Sequence, residues 1–64
     1  MIKLVDYYVD FSITLLLVSD ENYQQEFWVA LDVYGHKAIG GSSNEALFNL
    51  QLDIYETYMK KYGS

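Results

Sequence analysis

From Val5 to Leu17 every odd position is apolar (Val5, Tyr7, Val9, Phe11, Ile13, Leu15, Leu17), while Asp6, Asp10, Ser12 and Thr14 among the even positions are polar. Alternation of this kind is the period of a half-buried strand, so one long strand is expected over 5–17. A second run, Tyr23, Gln25, Phe27, Val29, Leu31 and Val33, has the same parity with Gln25 as its exception, and polar Ser19, Asp20, Glu21 and Asn22 stand between the two. Residues that face one core must meet across a hairpin, and a slip of one residue would turn the wrong face inward. Two runs of equal parity therefore require an odd loop. A three-residue loop of Asp20, Glu21 and Asn22 would pair Leu15 with Phe27, Ile13 with Val29, Phe11 with Leu31 and Val9 with Val33. A five-residue loop would keep the parity and shift the pairs.

A short third strand, Lys37 to Ile39, is expected after a turn at Gly35, and the pair Gly40 and Gly41 ends it. Ser42 with Glu45 three residues later has the spacing of a capping box, which satisfies amide donors left open in the first helical turn. From Glu45 to about Lys61 the set Leu47, Leu50, Ile54 and Tyr58 recurs at helical spacing, with Phe48, Leu52, Tyr55 and Met59 on an adjoining stripe. Glu45 near the start and Lys60 and Lys61 near the end suit the helix dipole. The expected fold is α+β: a three-stranded antiparallel sheet (β-β-β-α) with one carboxy-terminal helix on one face, as a single domain over residues 1–64. The two stripes together cover about 200° of the helix, twice the minimum for packing on a sheet. Either the tyrosines straddle the boundary with their hydroxyls in water, or the broad stripe is covered by a dimer or partner contact, with Phe48, Leu52, Tyr55 and Met59 as the self-association set of a homodimer.

Composition narrows the function. The chain has 64 residues, 9 acidic side chains against 4 lysines, no arginine, no cysteine and one histidine, for a net charge of −5. That balance opposes direct nucleic-acid binding, which depends on cations that neutralise phosphates. Without cysteine there is no disulfide framework and no thiolate metal site, and His36 alone cannot supply a structural zinc, so no metal and no cofactor is expected. The apolar run Leu15 to Val18 is far short of the roughly 20 residues that cross a bilayer. The amino terminus lacks a basic segment leading into an apolar stretch. A cytoplasmic location, in a bacterial or phage-infected cell, is the expectation.

The residues between the last turn and the helix resemble the HicB-like antitoxin family. Asp32, Val33, Tyr34 and Gly35 stand at that family's Asp-Leu-Pro-Gly turn, Gly40 at its later glycine, Ser42 at the capping hydroxyl, and Glu45, Ala46, Leu47 and Asn49 at its helix start. Tyr34 stands where the family has proline, Ala30 and Leu31 where it has Phe-Pro, and Gly41 where it has aspartate. The resemblance implies a three-stranded sheet with one helix, a partial RNase H-like layer, and a short form without the family's carboxy-terminal DNA-binding segment. It also implies a non-enzymatic role, binding a small basic RNA-cleaving toxin.

A catalytic set is hard to assemble from these residues. Asp10, Asp32 and His36 lie on or beside one open sheet face, and Ser42 and Ser43 belong to the cap. Gly40 and Gly41 before a capped helix lack the lysine of a phosphate loop, which weakens a nucleotide-binding sponge. In the expected register the outward face of the hairpin sets Asp10 opposite Asp32, Tyr8 opposite Tyr34, Ser12 opposite Ala30 and Thr14 opposite Trp28. Aromatic anchors around paired acids suit a Lys- or Arg-rich protein, so Tyr8, Asp10, Trp28, Asp32 and Tyr34 form the expected partner-binding set. The bland alternative is that the acids keep an exposed sheet soluble and the aromatics supply strand propensity. The expected function is neutralisation of a basic partner protein by occlusion. The rival reading is a phage-encoded inhibitor of a host defence system, of the anti-CRISPR type, that mimics nucleic acid towards a nucleic-acid-binding defence protein.

Overall fold

The computed structural model describes residues 2–10 and 12–62. Four strands, β1 (Ile2–Asp10), β2 (Ile13–Asp20), β3 (Gln25–Asp32) and β4 (Lys37–Gly40), precede one helix, α1 (Ser43–Tyr62). They form a single antiparallel sheet in the order β1-β2-β3-β4. The α+β class and the carboxy-terminal helix agree with the sequence reading; the count of three strands does not. The expected long strand over 5–17 is two strands, because the chain reverses between Asp10 and Ile13, which pair with each other. A reversal of this length places an even residue opposite an odd one, as in Tyr8 opposite Leu15. The odd apolar set is thus divided between the two faces of the sheet although it is continuous in sequence.

The next connection also differs from expectation. Asp20 pairs with Gln25, leaving four residues in the loop rather than three. The Asp20 carboxylate accepts the Asn22 amide at 3.0 Å, and Gln24 adopts a left-handed φ of 52° that completes the return. Parity therefore switches again: Leu15 lies opposite Ala30, Ile13 opposite Asp32, and Leu17 opposite Trp28. Of the expected apolar pairs, Leu15–Phe27, Ile13–Val29 and Val9–Val33 do not form; the fourth, Phe11–Leu31, involves a residue outside the described set, and Leu31 lies opposite Thr14 and Lys37. Val9 is opposite Thr14. Val5 is the extra residue of a bulge, since Leu4 pairs with Val18 and Asp6 with Leu17.

The two faces of the sheet follow from these registers. Towards α1 lie the rows Asp10–Ile13–Asp32, Tyr8–Leu15–Ala30–Ala38 and Asp6–Leu17–Trp28–Gly40; away from it lie Val9–Thr14–Leu31–Lys37, Tyr7–Leu16–Val29–Ile39 and Leu4–Val18–Phe27. α1 packs on β3 and β4. The contact centres on Ala30, Ala46 and Leu50, which are fully buried, with Ile13, Leu15, Trp28 and Ala38 packed against them. Gly40 permits the close approach, because a Cβ there would stand 2.5 Å from the Ala46 amide nitrogen.

The helix start is built as its sequence suggests. Ser42 Oγ accepts the Glu45 amide at 3.1 Å. Glu45 Oε1 reaches back to the amide of Gly41 at 3.0 Å, one residue earlier than in the usual capping box. Two cross-links then fix the helix on the sheet: Asn49 Nδ2 donates to the Ile39 carbonyl at 2.8 Å, and the His36 ring meets Asp53 Oδ2 at 3.1 Å. At 100° per residue, Phe48, Leu52, Tyr55 and Met59 fall on the side of α1 opposite Ala46 and Leu50. All four are exposed.

Candidate functional site

The expected partner-binding residues do not share one open face. Tyr8, Asp10 and Trp28 lie on the helix side of the sheet, and so does Asp32. Asp10 and Asp32 are not opposed to each other: each pairs with Ile13, from opposite sides, so β2 separates them by about 10 Å. The like-charge repulsion of directly opposed carboxylates is therefore absent. Tyr8 is opposite Leu15, Ala30 is opposite Leu15 and Ala38, and Trp28 is opposite Leu17 and Gly40, so the pairs Tyr8–Tyr34, Ser12–Ala30 and Thr14–Trp28 are likewise replaced. The shared cause is the even length of the two connections.

The new registers bring together a different cluster. Tyr8 and Trp28 stack across β2 with ring centroids 6.1 Å apart and planes 24° from parallel. Beside them a groove of about 290 Å³ opens between the β1–β2 hairpin and α1, with Ile13, Leu15 and Leu47 as apolar wall and Asp10, Ser12 and Gln51 around the polar rim. Its place follows from the mismatch of the layers: α1 sits over β3 and β4, so the helix-side residues of β1 have no helix above them. Asp6 stands next along β1 and accepts the Tyr8 hydroxyl at 3.1 Å. That hydrogen bond, and then the charge of Asp6, raises the Tyr8 phenol above its ordinary value of 10.0. Asp10 has no cationic partner among the described residues.

Asp32 and Tyr34 belong to a different feature. Asp32 Oδ1 accepts the amides of Tyr34 at 2.9 Å and His36 at 2.8 Å, so its local work is to hold the β3–β4 turn. Gly35, with φ 93°, supplies the left-handed step of that turn. Tyr34 is 85% exposed at the tip. It lines a second groove, of about 530 Å³, with His36, Ile54, Thr57, Tyr58 and Lys61. His36 is the tie between this turn and α1 through Asp53, a partner 17 residues away that no local pattern could indicate.

The chemistry open to the first groove is recognition. An aliphatic stem can lie on Ile13, Leu15 and Leu47 while a cationic head meets Asp10, and the adjacent aromatic pair offers a face for a guanidinium. Ser42 is committed to the helix cap, and His36 to Asp53. Among the described residues no group of three His, Asp or Glu side chains is placed to hold a metal ion. No helix among them is long and apolar enough to cross a membrane. No protein-family model, no curated protein and no solved structure matches the chain.

Proposed function

We propose that the chain is a non-enzymatic acidic binding protein of the cytoplasm of a bacterial or phage-infected cell, which neutralises a basic partner protein by occlusion, as its resemblance to HicB-like antitoxins implies. The observation that supports this reading is Asp10 at the rim of an apolar-walled groove, beside the stacked Tyr8 and Trp28. A carboxylate without a cation of its own, next to aromatic faces and an aliphatic wall, matches a lysine or arginine side chain along its whole length. The partner class is an RNA-cleaving toxin or a nucleic-acid-binding defence protein, whose functional surface is rich in such side chains.

The test is capture of partners from source cells on the immobilised chain, identified by mass spectrometry, in parallel with Asp10→Asn. Asp10 is exposed and joins no network, so the substitution should leave thermal stability within about 0.5 kcal/mol. A basic protein should be retained by the parent chain and weakened by about tenfold or more with Asp10→Asn, the scale of one lost charge-assisted contact. Equal retention by both, or capture of acidic proteins alone, would remove the proposal.

A further inference from the structure

The face of the sheet turned away from α1 carries apolar side chains from every strand, with Thr14, Asp20, Gln25 and Lys37 among them, and no element of the described residues lies on it. We infer that this face is the interface of a homodimer in which the sheets of two copies pack against each other. The strand sequences carry the first argument. β2 is apolar from Leu15 to Val18 and β3 from Phe27 to Leu31, without regard to parity. Runs of that kind belong to strands covered on both faces, and α1 covers only one.

The second argument is the size of the core. The side chains buried to a tenth or less of their surface are Val18, Ala30, Ala46 and Leu50 among the described residues, three of them small and one of them, Val18, on the far face. A chain of about 60 residues is marginal even with a full core. A second layer on the far face would supply the burial that the single chain lacks, and a second copy is the partner whose abundance always matches.

Area and charge agree with that occupant. Strands of eight or nine residues spaced 4.8 Å apart make a face of roughly 25 by 15 Å, which with its relief exposes on the order of 600 Å². Two such faces together reach about 1,200 Å², the lower end of stable specific interfaces, while a single patch of this size is large for a monomer. Tyr7, Val9 and Ile39 are each about 60% exposed on it. Its charges, Asp20 on β2 and Lys37 on β4, are of opposite sign and sit at opposite ends, so two faces meet without like charges at the centre. The groove with Asp10 lies on the other side of the sheet, so this inference stands or falls independently of the proposed function.

Sedimentation of the isolated chain from micromolar to millimolar concentration should give twice its 7.5 kDa mass. Val9→Lys with Ile39→Lys should raise the dissociation constant by a hundredfold or more, and Phe48→Lys with Leu52→Lys on the outer side of α1 should leave it within a factor of three. In the wild-type chain, methyl resonances of Val9, Leu16, Val29 and Ile39 should be shielded from a soluble gadolinium chelate; this second measurement decides the matter if the lysine variant fails to fold. A folded monomer throughout, a dimer broken by the α1 variants, or far-face methyls fully open to the chelate would each overturn the inference.

Discussion

Gly40 and Gly41 are adjacent in sequence and differ completely in what they permit. A Cβ at Gly40 would meet the backbone of Glu45 and Ala46 at 3.0 Å or less, whereas at Gly41 the nearest atom is the far end of the Glu45 side chain at 4.0 Å. Backbone cannot yield as a side chain can, so Gly40→Ala must lift α1 from β4. It should cost about 1–3 kcal/mol in chemical denaturation, and Gly41→Ala should cost under about 0.5 kcal/mol. Equal losses would mean that conformational freedom, not clearance, is what the pair supplies. Tyr8 makes a second residue-scale prediction. Its folded phenol is raised by the hydrogen bond to Asp6 and by the charge of Asp6. The native state thus holds this proton more tightly than the unfolded chain, and the resulting stabilisation is present below the ordinary phenol value and lost as pH rises through the folded one. A tyrosine-ring NMR titration should find Tyr8 ionising above the ordinary phenol value of 10.0, and Asp6→Asn should bring it back towards that value.

The helix start is the element on which sequence and structure agree most closely. Ser42 Oγ and Glu45 Oε1 satisfy two amides that would otherwise be left open, and Ser42→Ala should cost about 1 kcal/mol by thermal denaturation, with helical content lost first at the α1 amino terminus. Caps, glycines and helical spacing are local signals, so α1 and β4 could be placed from the sequence to within a residue or so. The hairpins could not. Asp10, Phe11, Ser12 and Ile13 contain no glycine or Asn-Gly pair, and alternation runs through the reversal unbroken because the residues that change face keep their parity. β2 adds to the ambiguity: with Leu15, Leu16, Leu17 and Val18 in succession, neither of its faces is marked as the inner one. The candidate site inherited that error. Tyr8, Asp10 and Trp28 are legible as aromatic and acidic side chains of a sheet, but the stacking of Tyr8 on Trp28 and the place of Asp10 in the groove beside α1 depend on the registers, and Asp32, though on the same side of the sheet, belongs with Tyr34 to the β3–β4 turn.

At the scale of the whole molecule the fold is a layer and a half, measuring 44 × 24 × 18 Å. The helix leaves the β1 side of its own face open as the groove with Asp10, and among the described residues no layer covers the other face. Each strand pairs only with its neighbour in sequence, and no connection between paired strands exceeds four residues. Little chain entropy has to be surrendered before each hairpin gains its contacts, and even the tie from His36 to Asp53 closes a loop of only 17 residues. Mixed α/β domains with such short connections fold between helical bundles and all-β barrels in rate, on the order of milliseconds. The sheet can therefore assemble hairpin by hairpin on about that timescale. Any step slower than that, and dependent on concentration, would belong to the meeting of two chains rather than to the folding of one.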